Sequence, residues 1–212
     1  MEAASQLIAD IYTKTPGGCI AFVPSYKFQE RLKISFNKKF KTKLDNFFYD
    51  EKSAKGDTFE LFKARIESSE AKSALLFSVM GGRLSEGINF KDRLARSVIC
   101  IGMPYPNIKA CEIGLKMKFF DEKSKNEKSE FSFSGRDFYE SLCTKAVNQS
   151  IGRAIRHRGD YSAIFLVDLR FGKNRFLERL PGWIRGSYRA FDGPGDDMFN
   201  ALDEFYKKLE DK

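Results

Sequence analysis

The sequence predicts an α/β fold: a parallel sheet with helices on both faces. Three observations predict it. Short, wholly apolar runs recur along the chain, amphipathic helical stretches fill the intervals between them, and glycine, proline or polar residues punctuate the joins. A strand that is apolar on both faces must be covered on both, and helical crossovers between parallel strands supply that cover.

Taken in order, Gly18 to Pro24 (GCIAFVP) reads as a buried strand, and a basic helical stretch follows from about Tyr26 to Phe40. Leu44 to Tyr49 is a weaker strand, and Thr58 to Ser68 has helical spacing at Leu61, Phe62 and Ile66. Ala74 to Met80 (ALLFSVM), Arg96 to Met103 (RSVICIGM) and Ala163 to Leu169 (AIFLVDL) are further strands. Ala110 to Phe120 and Gly135 to about Arg156 read as helices, and Leu202 to Leu209 as a short closing helix. The polar, charge-dense segment Asp121 to Ser134 (DEKSKNEKSEFSFS) reads as a surface loop or insert. No linker or internal repeat divides the 212 residues, so residues 1–212 are expected to form one domain.

A composition of 42% hydrophobic and 31% charged residues supports a packed core with a solvated surface, which excludes a disordered chain. The net charge of +8 favours an anionic partner. Cys19, Cys100, Cys111 and Cys143 lie far apart in sequence and match no metal-ligand spacing, so they read as free thiols in a reducing compartment. No run of about 18 apolar residues indicates a membrane span, and the first residues lack the pattern of a secretory signal. A soluble, intracellular protein with no metal site of its own is expected.

The most informative stretch is NQSIGRAIR, Asn148 to Arg156. On a continuous helix, Gln149, Gly152, Arg153 and Arg156 fall at offsets of zero, three, four and seven, which places them on one face. Arginine suits phosphate because its planar fork binds two oxygens at once and stays charged. The bland alternative is a solvated basic face. A second motif, GGRLSEGINF from Gly81 to Phe90, follows a strand directly. Paired glycines permit backbone turns that a side chain would block, and Ser85, Glu86 and Asn89 offer polar groups at the sheet rim. Read alone, it is equally an ordinary strand-to-helix turn.

Two more rim segments complete the pattern. The strand AFVPS ends on the hydroxyl of Ser25, and Lys27, Arg31, Lys33, Lys38, Lys39, Lys41 and Lys43 then face only Glu30. Such a run neutralises a phosphate backbone or simply solvates a helix. Phe36 and Phe40, four apart, are expected in the core. IGMPYPN from Ile101 to Asn107 makes a rigid exit from a strand. His157, the sole histidine, has no ligand companions at local spacing and reads as a helix C-terminal residue. The sequence contains no GxxxxGK[ST] phosphate loop and no GxGxxG, and no Asp-Glu pair is read as a Mg²⁺ holder.

FSVMGGRLSEGINF, ICIGMPYPN and AVNQSIGRAIRH, in that order, resemble the second motor domain of XPD-like superfamily 2 DNA helicases. SEGINF and AVNQSIGRAIRH most resemble the chromosome-cohesion branch, that of the Warsaw breakage syndrome helicase, with the FANCJ, RTEL and DinG groups nearby. The resemblance implies a RecA-like domain without its own phosphate loop, a 5′-to-3′ DNA helicase activity, and the nucleus if the source is eukaryotic. It assigns Arg153 and Arg156 to catalysis at the triphosphate, and Gln149, Gly87, Asn89 and Glu86 to the ATP side. Ser25, Gly82, Arg83 and Lys27 fall to the single-stranded DNA groove.

Some relatives carry aspartate at the position of Asn89. ATP and Mg²⁺ are implied to sit mainly on a first motor domain, and an iron–sulfur cluster there alone, so the chain by itself is expected to be inactive. Implied partners are single-stranded DNA, that first motor domain and, by resemblance only, replication or cohesion proteins. Two other readings stay open: a stand-alone nucleic-acid-binding module, and an unrelated doubly wound enzyme with a deep small-molecule pocket.

Overall fold

The computed structural model describes residues 1–42, 44–51, 57–68, 73–125, 132–155 and 157–210. In chain order the elements are α1 (Glu2–Lys14), β1 (Gly18–Val23), α2 (Tyr26–Phe40), β2 (Phe47–Tyr49), α3 (Thr58–Glu67), β3 (Ala74–Val79) and α4 (Arg83–Gly87). There follow β4 (Ser97–Ile101), α5 (Cys111–Ser124), α6 (Gly135–Ile151), β5 (Ala163–Val167), α7 (Asn174–Leu177), α8 (Gly182–Arg185) and α9 (Asp196–Glu210). Two 3-10 turns, Asp92–Ala95 and Leu169–Gly172, precede β4 and follow β5.

The five strands form one parallel sheet in the order β2-β3-β1-β4-β5. All strand C-termini therefore share a rim, where loops collect. Alternate residues of each strand feed opposite faces. Cys19, Ala21 and Val23 pack with Leu75, Phe77 and Ile99 beneath α1, α2 and α9, including the buried Phe36 and Phe40. Ile20, Phe22, Leu76, Val98 and Cys100 pack on the other face, with Phe62 and Ile66 of α3 and Cys143, Val147 and Ile151 of α6. The central strands β1, β3 and β4 are fully buried, whereas β2 and β5, at the edges, are half-buried. Gly18 opens β1 where a Cβ would stand 2.0 Å from the Leu94 carbonyl oxygen, so only glycine lets the chain before β4 lie this close.

Several elements differ from the sequence expectation. The weak strand is confined to Phe47–Tyr49. The helix before the charged segment runs on to Ser124, which takes in the start of the expected Asp121 to Ser134 loop. Ser134 is instead the N-cap of α6, closed by a capping box with Asp137. That helix stops at Ile151, five residues short of Arg156, with Gly152 as its C-cap. The amides of Arg153 and Ala154 bond three residues back, to Ser150 and Ile151, as in a tightened 3-10 turn. Helix α1 went unread because Met1 gives it no side-chain cap, although Leu7, Ile8, Ile11 and Tyr12 carry its core stripe. Among the described residues no helix is long and apolar enough to cross a membrane.

Candidate functional site

Candidate residues gather at two places. The first joins the stretch after β3 to the turn after α6. Gly81 takes a left-handed φ of +70°, and α4 begins two residues later, with the Ser85 hydroxyl donating back to the Gly82 carbonyl at 2.9 Å. From the turn after α6, Arg153 Nε donates to the Ser85 carbonyl at 3.0 Å, and its Nη1 to Asn89 Oδ1 at 3.2 Å. The Phe90 amide donates to the Arg153 carbonyl at 3.1 Å. One arginine thus binds a main-chain and a side-chain acceptor 68 and 64 residues away. Its guanidinium is oriented before any ligand arrives.

Because α6 ends early, helical spacing does not set the relation of Gln149 to Arg153, which corrects the shared-face expectation. Gln149 remains on the helix and lines a cavity of about 440 Å³ with Ser141, Thr144, Lys145, Asn148 and Arg179. Gly87 closes α4, and Glu86 lies within it; nothing is described of the Glu86 side chain. Arg156 lies outside the described residues.

The second place is the rim over β1, β2 and β3. Exposed Ser25 is the N-cap of α2, and its hydroxyl accepts from the Phe28 amide at 3.2 Å. Lys27 is exposed beside it. A Cβ at Gly82 would stand 3.2 Å from the Tyr26 hydroxyl, so the residue after Ser25 reaches the glycine turn directly. Arg83 Nη2 lies 3.3 Å from Oδ1 of Asp50, which is fully buried just beyond β2. Burial first, and the Asp50 charge second, push the Tyr26 phenol above its ordinary range. The sequence reading missed Asp50; the Asp50-Glu51 pair directly after the strand Phe47–Tyr49 is the signal that marks it.

A third cluster corrects the reading of His157 as a residue without carboxylate companions. Its Nε2 lies 2.9 Å from Asp92 Oδ1, and the Asp92 amide donates to Asp160 Oδ2 at 3.3 Å. Asp92 is distant in sequence, so local spacing could not reveal it, whereas Asp160 follows closely in HRGD. Asp160 Oδ1 takes Arg96 Nη1 at 2.9 Å, and the Arg96 guanidinium covers the Tyr161 ring at 3.8 Å. The Asp160 carboxylate is therefore already neutralised by Arg96, a poor fit to Mg²⁺. Nor do the three buried cysteines fit an iron–sulfur cluster. Burial pushes the thiols of Cys19, Cys100 and Cys143 up to about 12, which disfavours the thiolate that a cluster binds.

A family model described as "Helicase C-terminal domain" matches residues 8–187. The chain is 42% identical over 191 residues to "ATP-dependent DNA helicase CHL1" of Debaryomyces hansenii, covering 84% of this chain and 23% of that protein. It is 39% identical to "ATP-dependent DNA helicase DDX11" of Danio rerio, covering 99% of this chain and 25% of that protein. The chain thus spans about a quarter of these relatives' length. Among solved structures, "Structure of S. tokodaii Xpd4" has a TM-score of 0.58 at 20% identity, covering 84% of this chain and 32% of that one. "XPD_Helicase" has a TM-score of 0.59 at 19% identity, covering 84% of this chain and 29% of that one. At those identities the likeness is one of fold.

Proposed function

The chain belongs to the family of helicase C-terminal domains, in the CHL1/DDX11 branch of XPD-like helicases, and from that premise we propose that it is the second motor half of an ATP-dependent 5′-to-3′ DNA helicase. Residues 1–212 act as one motor domain: α1 and α9, which extend past the matched range, pack on the same sheet face as α2. ATP is the substrate, bound mainly by a first motor domain that carries a phosphate loop. Mg²⁺ on that side supplies charge neutralisation at the triphosphate. Arg153 and Arg156, with Gln149, reach the triphosphate from this side and stabilise charge on the transferring phosphoryl group. Gly87, Asn89 and Glu86 link that event to the strand, whose phosphates lie along Ser25, Lys27, Gly82 and Arg83. The setting is the nucleus, with single-stranded DNA as the polymer bound.

The observation that carries this reading is the Arg153 bridge, which ties the Gly-rich turn after β3 to the arginine turn after α6. A nucleotide-sensing arginine and a strand-contacting loop then move as one unit.

The test is Arg156→Lys in the complete helicase, which keeps the charge and removes the planar fork. Turnover is expected to fall on the order of 10³-fold, with ATP and DNA affinities near those of the parent. Hydrolysis at the parent rate would make Arg156 an ordinary surface residue and sink the assignment.

A further inference from the structure

The rim ends of β1, β2 and β3 meet around one buried charge. Asp50 has no exposed surface. Its Oδ2 accepts from the Ser78 hydroxyl at 3.3 Å, and its Oδ1 from Arg83 Nη2 at 3.3 Å. Its main-chain carbonyl takes Gln29 Nε2 at 2.9 Å. Gln29, itself 3% exposed, turns its amide nitrogen to that carbonyl and leaves its Oε1 with no hydrogen-bond partner. Two long hydrogen bonds are thin cover for a carboxylate out of water, and an uncompensated buried charge is strongly destabilising. Asp50 therefore needs the Arg83 cation beside it.

Arg83 does not need Asp50 in the same way. Its side chain is 54% exposed. A guanidinium carries five donors in a rigid fork, and the Asp50 contact engages only Nη2. The remaining donors stay at the rim, beside Gly82, with Tyr26 between that turn and Ser25. A side chain tethered at one nitrogen and open at the others is arranged to bridge a fixed anion and an arriving one.

We infer that Asp50 is a positioning residue: it holds the Arg83 guanidinium at the rim so that its free donors meet a phosphate of a single nucleic-acid strand. This rests on Arg83 being a strand contact, as proposed above. The phosphate meets a side chain whose rotamer is already fixed, so the ordering of a long arginine is complete before binding. Charge counting alone gives the opposite result, since deleting the Asp50 charge makes the rim more positive and should tighten the strand. The sign of the effect separates the two.

The experiment titrates a fluorescent oligothymidylate at several salt concentrations against the full chain and four variants: Asp50→Asn, Asp50→Glu, Arg83→Ala and the double variant Asp50→Asn/Arg83→Ala. Asp50→Asn is expected to weaken binding about three- to ten-fold. Its salt slope should become shallower by about 0.7, one single-strand phosphate's worth. The double variant should bind no more weakly than Arg83→Ala, and Asp50→Glu should recover part of the loss. Parent-like or tighter binding by Asp50→Asn overturns the proposal, as does an additive loss in the double variant. Should circular dichroism show Asp50→Asn unfolded, Asp50→Glu decides: partial loss with a shallower slope supports positioning, and parent-like behaviour overturns it. Parent-like binding by Arg83→Ala has a separate meaning, since it removes Arg83 from the strand groove altogether.

Discussion

The two ends of α6 are held by different chemistry. At the N-terminus the hold is local and charged. Ser134 accepts from the Asp137 amide at 3.2 Å, and the Asp137 carboxylate accepts from the Ser134 amide at 3.1 Å. Arg179 Nη2 adds a contact to Asp137 at 3.0 Å, and the buried Glu140, one turn on, is faced by Arg136, Arg175 and Arg179. At the C-terminus the helix has no comparable clasp. The chain tightens into a 3-10 turn there, and Arg153 bonds Ser85 and Asn89, far away in sequence. One end anchors the helix, and the other delivers a side chain to a site assembled from two distant loops. Changes at the delivering end should therefore move activity, and changes at the anchoring end should move stability.

The sharpest break of that contrast is Arg153→Ala in the complete helicase. Loss of both the bridge and the cation should lower ATP turnover on the order of 10³-fold, with little change in melting temperature. A protein that melts much earlier yet hydrolyses normally would reverse the roles of the two ends.

Asn89→Ala is the milder version. It deletes one acceptor of Arg153 and leaves the Ser85 carbonyl, which no substitution of Ser85 removes. A hydrogen bond to a charged group contributes about 1.5–3 kcal/mol, so turnover should fall by roughly ten- to a hundred-fold. Asn89→Asp, which keeps an acceptor there, should hold Arg153 at least as well. Turnover unaffected by Asn89→Ala would mean that the guanidinium is held in place without Asn89.

The contrast also explains what the sequence made legible. The central strands were plain because β1, β3 and β4 are apolar on both faces, and α2 was read from Tyr26 to Phe40 as it stands. The start of α6 at Gly135 was read correctly, since the signals that begin a helix are local. Its end was overrun to Arg156, because IGRAIR keeps an apolar rhythm while the partners that pull Arg153 off the helix lie beyond any local window. The pairing of Asp92 with His157 was hidden for the same reason, whereas Asp50, just past a strand, and Asp160, in HRGD, stood within local reach and were passed over.

The anchoring end offers the smallest effect and the cleanest sign. Asp137 sits below the ordinary carboxyl range because the Ser134 hydroxyl, then the Ser134 amide, then Arg179 bind its charged form. A carboxyl depressed in the folded state stabilises the fold above its unfolded pKa, about 3.9, and loses that contribution as pH falls through the folded value. The side chain is 38% exposed, so solvent screens the Arg179 pair and the capping bonds supply most of the effect. Asp137→Asn should then be less stable than the parent by about 0.5–1 kcal/mol at neutral pH. The difference should narrow below about pH 4, as the parent's own carboxyl takes up its proton. Urea melts of both proteins at matched pH isolate this one group, because every other acid titrates in both. ATP turnover at neutral pH should be unchanged, since this end of α6 delivers nothing to the arginine turn. A stability gap that stays constant into strong acid would show that Asp137 acts by shape alone, and a large loss of turnover would show that the two ends of the helix are not separable.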